Sequence, residues 1–500
     1  MNVNARCPSA DRARTGECRI WMRIVGAAVA AVLALPIFTA EAASGLNRIS
    51  HIIVLYLENR SFDNLLGAFP GTNGLATAGQ ATLQRDRAGA PYQVLPDTKG
   101  PFDVDGVPAD LRALSLGPLP NRPFAIDGID PRVTIATTTR GLTHLFYTNR
   151  AQIHGEANDR FALLSDAGGL SMGYYSAAAM GETNLWKAAR AGVLFDHFFQ
   201  GAFGGSFLNH MWFVCACGPL WPNPPHDQRS VLDADGIPIS EQRVTTADDG
   251  DYAVNTTQSV FLNDGRQGTN LLPAQSTVTI GDRLSERGID WAWYSEGWDL
   301  AINQERAPEE EKQFRAMLFA YHHQPFAYFQ RFDPSTAKGR AERRIHLRDA
   351  RDLEADIRSG QLPPVTFYKP ADLYSEHPGL GSVAAGDAVI GRVMALLGDS
   401  PIRDSYALII TYDENGGFFD HVAPPAGPAA GARADFFGPG TRIPAILVSP
   451  FARHGVIDSS EYETTSILKL IAERFDLDPL PSPRLKAVRS LARAFELPDR

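Results

Sequence analysis

HIIVLYLENRSFDNLLG, residues 51–67, decides the fold class of this chain. Ile52, Ile53, Val54 and Leu55 form an apolar, mostly β-branched run that stops at Glu58 and Asn59. Such a run reads as a buried parallel strand. The carboxyl edge of a sheet of that kind is where ligands are presented. A second stretch, YALIITYDENGGFFDH at 406–421, repeats the pattern: Leu408 to Thr411 read as a strand that ends in Asp413 and Glu414. Two strands ending in paired oxygen donors can set Glu58, Asn59, Asp413 and Glu414 around one cation. Oxygen ligands suit Ca, Mg or Mn, and they leave Fe and Zn open.

Working outward, further strands are expected at GIDWAWYS (288–295), PVTFYKP, ALIITYDE and IPAILVSPF, with a strand-like turn at 193–199. Helical period marks ETNLWKAARAGV (182–193), the residues from Phe207 onward, KQFRAMLFAYHHQPFAYF (312–329) up to Pro325, and TTSILKLIAERF (464–475) capped by Thr464 or Thr465. Alternating strands and helices predict an α/β fold with a central, mostly parallel sheet. Gly/Pro-rich stretches at about 68–135 and 218–275 are expected loop insertions into a single domain, residues 44–500. The chain stops soon after the final helix, which leaves no room for a C-terminal module.

Residues 1–43 read as an export signal. Arg19 and Arg23 precede the apolar run 24–38, and Thr39-Ala40-Glu41-Ala42-Ala43 offers a cleavage site, with Met1 or Met22 as the start. A retained anchor is the alternative, but the run is short for a span of about 20 residues. The signal holds five Arg against three acids, so its removal leaves the rest more acidic than the full chain's −10. No basic cluster offsets that balance, which argues against nucleic acid as a partner and predicts no transmembrane segment after signal removal. The expected location is the periplasm or outside the cell. Of four cysteines, Cys7 and Cys18 leave with the signal. Cys215 and Cys217 are expected as two small buried apolar side chains, with a local disulfide as the alternative.

A nucleophile is needed for hydrolysis, and Ser206 in GAFGGSFLNH is the candidate. Gly201, Gly204 and Gly205 allow a sharp turn. A helix starting near Ser206 would aim N–H groups at an anion, and Asn209 one turn on could donate to the same anion. Beside a divalent cation the serine could ionise without a histidine base. The bland alternative is an N-cap serine after a glycine turn. His322 and His323, at a helix end before Pro325, read either as a helix-terminal pair favoured by the dipole or as phosphate-binding and proton-donating groups. His377 sits on a turn before Pro378, and His144 begins an expected helix. Asp420 and His421 read as structural. Walker, G-x-S-x-G, H-E-x-x-H and Rossmann patterns are absent.

Taken jointly, HIIVLYLENRSFDNLLG, GGLSMGYYS (168–176), YALIITYDENGGFFDHV and RIPAILVSPF (442–451) resemble, in order, the bacterial phosphoesterase family of phospholipases C and related acid phosphatases. The resemblance covers most of residues 48–475 and implies an alkaline-phosphatase-like fold. By position it implies metal ligands at Glu58, Asn59, Ser206, Asp413 and Glu414, a nucleophile at Ser206 and a phosphate-binding Asn209. It further implies pocket histidines at His144, His322, His323 and His377. AYHHQPFAYF and the absent C-terminal β modules resemble the acid phosphatase branch. Where many relatives carry Asp-His-Thr-Ser, this chain has Glu463-Thr464-Thr465-Ser466, which argues against a two-metal site. Gly205-Ser206 replaces the usual Pro-Thr and is compatible with the serine-using branch.

The expected activity is therefore an exported, metal-dependent acid phosphatase that hydrolyses phosphate monoesters through a phosphoserine. Either His322, His323 or His377 would protonate the leaving oxygen, which suits an acidic optimum. One alternative is a phospholipase C acting on phospholipid head groups, whose apolar rim Trp291, Trp293 and Trp298 could supply, although a core role on the strand is the plainer reading of these residues. Another is a non-catalytic exported protein that binds phosphate or metal.

Overall fold

The structure, a computed structural model, describes residues 45–96, 100–263, 270–302, 318–425 and 431–497. The expected export signal lies outside these residues, as do positions 312–317 of the expected 312–329 helix.

Eight strands make the central sheet. In chain order they are β1 (His51–Leu57), β2 (Val193–Phe195), β3 (Trp291–Ser295), β4 (Leu347–Asp349), β5 (Val365–Lys369), β6 (Tyr406–Tyr412), β7 (Ala445–Val448) and β8 (Val456–Asp458). Their spatial order is β8-β2-β7-β6-β1-β5-β3-β4. All neighbouring pairs are parallel except those made by β7, which runs antiparallel to both β6 and β2. The expected α/β class with a mostly parallel sheet therefore holds. Strand β1 is central, paired with β5 on one side (Val54↔Phe367) and β6 on the other (Leu57↔Tyr412). Six of its seven residues are buried, as a strand covered on both faces requires. Each buried aliphatic side chain contributes about 1.5–3 kcal/mol.

The helices that matter to the site are α1 (Phe62–Leu66), α2 (Phe146–Ile153), α3 (Asn184–Ala191), α4 (Ser206–Cys215), α5 (Ala337–His346), α6 (Val383–Gly398) and α7 (Thr465–Phe475). Side-chain alternation along β5 assigns two of them to opposite faces. Phe367 packs on Phe213 of α4 and on Trp293, whereas Tyr368 lines a cavity with Val389, Val393 and Leu396 of α6.

Several expectations change. The segment around His322 and His323 is not the end of an α-helix: Tyr321–His323 and Pro325–Tyr328 are separate 3-10 turns. Helix α7 has Thr464 at its cap, but that residue is itself in helical conformation and caps nothing with its side chain. The Glu463 amide instead donates to the Ser466 hydroxyl at 3.1 Å. Cys215 and Cys217 are joined by a disulfide at the end of α4. Trp291, Trp293 and Trp298 are all buried, which is the core reading of these residues and not the rim. Trp293 donates its indole N–H to the His323 carbonyl at 2.7 Å, inside the core. Among the described residues no helix is long and apolar enough to cross a membrane.

Candidate active site

The carboxyl ends of β1, β5 and β6 are neighbours, so each delivers its next residues to one place. The β1 and β6 ends are stitched together. The Asp413 amide donates to the Leu57 carbonyl, the Arg60 amide to the Glu414 carbonyl, and the Asn59 amide to Asp413 Oδ1, each at 3.0 Å. Asn59 adopts a left-handed backbone, φ +60°, a conformation asparagine tolerates better than most residues. Gly416 is required opposite it, because a Cβ there would lie 2.2 Å from the Asn59 carbonyl oxygen.

Ser206 arrives from another layer. Gly205, not Ser206, is the N-cap of α4, so the serine hydroxyl is free of capping duty. It donates to Asn59 Oδ1 at 3.1 Å. Gly204 makes the turn possible at φ +79°, where a Cβ would meet the Phe146 backbone at 2.5 Å. Asn209 has a different place from the one its sequence position implied. Its Oδ1 accepts from the Ala202 amide, and its Nδ2 donates to the Gly204 and Gly205 carbonyls. This amide braces the serine loop and is fully buried, which leaves its donors engaged by protein rather than by an anion.

Oxygen ligands converge without enough donors to satisfy them. Asp413 Oδ1 accepts two backbone amides and Glu414 Oε2 accepts the Gly416 amide at 2.6 Å. Asp413 Oδ2 and Glu414 Oε1 are buried with no hydrogen-bond partner. Burial, then neighbouring carboxylates, pushes the Asp413 and Glu414 carboxyls up. Glu58 differs: burial would raise it, but the Lys369 and His323 charges hold it well below the usual range. Ligand atoms of Glu58, His210 and Asp413 lie within 4.8 Å of one another. Orphaned carboxylate oxygens beside an Asn oxygen and a hydroxyl fit a hard divalent cation.

Five histidines surround these oxygens. His323 Nε2 donates to Glu58 Oε1 at 2.6 Å and lies 3.2 Å from Asp372 Oδ1. His322 and His323 are adjacent yet nearly perpendicular, and the 3-10 turn lets both rings reach Glu58. His144 precedes α2 instead of starting it. Its Nδ1 donates to the Leu142 carbonyl, and its Nε2 accepts from the Asn59 side-chain Nδ2 at 3.3 Å. Its ring is 6.0 Å from that of His377. These two are partly exposed and flank the opening, while His322 and His323 are buried. Burial holds His144 and His322 below their usual value and His377 down to about 4.

The site thus unites Glu58, Asn59, Ser206, Asp413, Glu414, His144, His322, His323 and His377. Sequence reasoning missed His210, Lys369 and Asp372. His210 donates from Nδ1 to the Ser206 carbonyl at 2.7 Å. Its spacing of four from Ser206 on a helix was a usable signal. Lys369 closes an apolar strand beside β1, and its Nζ lies 2.7 Å from Glu58 Oε1. Asp420 and His421 stand with Asp63 in a separate buried group. Arg442 already supplies its cation, bonding Asp63 at 3.0 Å and Asp420 at 2.9 Å.

Comparisons with known proteins agree with this chemistry. The pattern of the Phosphoesterase family matches residues 49–478. Phospholipase C A of Mycobacterium tuberculosis is 26% identical, over 93% of this chain and 81% of the relative. The non-hemolytic phospholipase C of Pseudomonas aeruginosa is 25% identical, over 96% of this chain and 62% of the relative. Matching solved structures include the phosphonate monoester hydrolase of Agrobacterium radiobacter, 12% identical with a TM-score of 0.31, covering 64% of this chain and 74% of that one. A protein of the alkaline phosphatase superfamily from Vibrio parahaemolyticus is 11% identical with a TM-score of 0.31, covering 72% and 74%.

Proposed function

The chain belongs to the Phosphoesterase family and is a hydrolase of phosphoric ester bonds; we propose that it cleaves them through a phosphoserine on Ser206, with phospholipid head-group diesters as the first substrate class to test. The observation that carries the serine role is its hydroxyl, uncapped at the start of α4 and bonded to Asn59 among buried carboxylates. The names of relatives spanning almost the whole chain support the diester.

Glu58, Asn59, Ser206, Asp413 and Glu414 would hold the divalent cation, which when bound polarises the ester phosphate and favours the ionised serine. Ser206 attacks phosphorus in line and the P–O bond to the leaving alcohol breaks; the phosphoserine so formed keeps the head group of a diester, and water later cleaves its bond to Ser206 to release the head-group phosphate. The free N–H groups of α4 face the equatorial oxygens. His322, His323 or His377 protonates the leaving oxygen. Burial holds His377 down to about 4 and His322 below its usual value, so an acid optimum does not follow from free imidazolium alone. The negative charge of the bound ester must draw the proton in. The remaining proposals are that the cation is one of Ca, Mg, Mn, Fe or Zn and that residues 1–43 direct export to the periplasm or outside the cell.

A monoester reading, that of an acid phosphatase, draws on the histidines gathered around Glu58 and Asn59. Turnover of p-nitrophenyl phosphocholine against p-nitrophenyl phosphate, from pH about 4 to about 9 with and without chelator, separates the two. Preference for the phosphocholine ester supports the phospholipase. Preference for the monoester at acid pH moves the protein to the phosphatases. Activity on neither leaves a phosphate- or metal-binding role.

A further inference from the structure

Glu58 belongs to two groups of buried residues able to hold a cation. One is Glu58, His210 and Asp413; the other is Glu58, His322 and His323. On ligand types alone the site could take two ions that share Glu58. The second group, however, already has a cation at its carboxylate. Glu58 Oε1 accepts from His323 Nε2 at 2.6 Å and pairs with the Lys369 ammonium, its nitrogen 2.7 Å away, while Oε2 accepts from the Ser375 hydroxyl at 3.1 Å. Lys369 is the last residue of β5 and is fully buried. Its stem lies on the face of β5 opposite Tyr368, and Nζ stands 6.0 Å from the Tyr56 ring centroid. Glu58 is the one carboxylate in salt-bridge range of this ammonium among the described residues. His323 Nε2 faces carboxylate oxygens on two residues, Glu58 and Asp372.

We propose that Lys369 is a built-in cation in the place of a second metal ion, and that it confines the centre to one divalent ion held on the Asp413 side of Glu58. The inference rests on the cation-assisted reading above and deepens it. An ammonium fixed in a dry site repels a divalent ion brought close to the same carboxylate oxygen. It also fixes the position of the Glu58 carboxylate, 2.7 Å from the ammonium nitrogen. A consequence is that the His322 ring, whose Nδ1 has no partner, stays off metal and remains available to the substrate. Lys369 is thus a positioning residue, acting through Glu58.

The test counts ions. Purified protein is stripped with chelator and titrated with Mn²⁺, followed by calorimetry, elemental analysis and electron paramagnetic resonance. Wild type is expected to bind one Mn²⁺ per chain. Lys369→Met, of similar length and uncharged, is expected to bind a second Mn²⁺ and to show the signal of a spin-coupled pair. Adding His323→Ala to that variant removes the second ion, and Lys369→Arg stays at one. Two ions in wild type, or one uncoupled ion in Lys369→Met, overturns the proposal. Should Lys369→Met fail to fold, Lys369→Gln and the wild-type count decide by the same criteria. Wild type that binds no Mn²⁺, Ca²⁺, Mg²⁺, Fe²⁺ or Zn²⁺ overturns the cation-assisted reading itself, and this inference with it.

Discussion

The Ser206 hydroxyl and the Asn59 side-chain oxygen lie 3.1 Å apart across 147 residues of chain. Ser206 is the first residue of α4 and caps nothing, so its hydroxyl contributes little to stability. Ser206→Ala is expected to cost on the order of a thousandfold or more in kcat/KM and to leave Tm within about 2 °C. Steady-state kinetics on an aryl phosphoester, beside a thermal melt, checks both. Near wild-type turnover would end the phosphoserine reading.

The unsatisfied oxygens of Asp413 and Glu414 predict how the stripped protein responds to pH. Their folded-state carboxyls are raised by burial and by one another. A raised carboxyl binds its proton in the native state first, so its stability contribution is complete below the unfolded value near 4 and is lost as pH climbs. Chelated protein should therefore melt lower at pH 8 than at pH 5 relative to the metal-loaded form. A chelator effect that is the same at both pH values would contradict this.

Glu376 makes a related prediction away from the ligands. Burial pushes its carboxyl up to about 8, with the Arg60 charge pulling against that and Asp387 adding to it. The sign is the same: stability is lost as pH rises from about 4.5 through about 8. Glu376→Gln keeps the shape and removes the titration. It should raise stability by a few kcal/mol above pH 8 and change little at pH 5. Denaturant melts at the two pH values would decide.

Arg442 lies between Asp63 and Asp420, fully buried, with its guanidinium 4.1 Å from the Phe62 ring centroid. Removing it by Arg442→Met leaves two buried carboxylates uncompensated, at a cost of about 3–5 kcal/mol. Adding Asp63→Asn and Asp420→Asn should recover part of that loss. A single variant as stable as wild type would show that these groups are neutral in the native state.

Much of the site was legible from local patterns. A β-branched run that breaks at two oxygen donors is diagnostic in one dimension, and it occurs twice, at Glu58 and at Asp413. The glycines around Ser206 mark a turn for a local reason, since φ +79° at Gly204 excludes a side chain. Asn209 was misread because helix spacing shows which face a side chain occupies, not what it bonds; here the Gly204 and Gly205 carbonyls claim its amide. Of the two readings of Trp291, Trp293 and Trp298, an apolar rim or the strand core, burial selects the core. Strand β3 is covered on both, so Trp291 and Trp293 are core.

Local chain chemistry by itself determined the strand ends, the serine turn, the oxygen character of the ligands and the family. It could do so because those features depend on residues within one turn or one strand. The tertiary structure alone decided the company of Glu58. His323 and Lys369 reach it from 265 and 311 positions along the chain, and Asp413 lies across from it only because β1 pairs with β6 in register. Charge balance in a buried centre is set by which strands are neighbours, and no periodicity in the sequence records that.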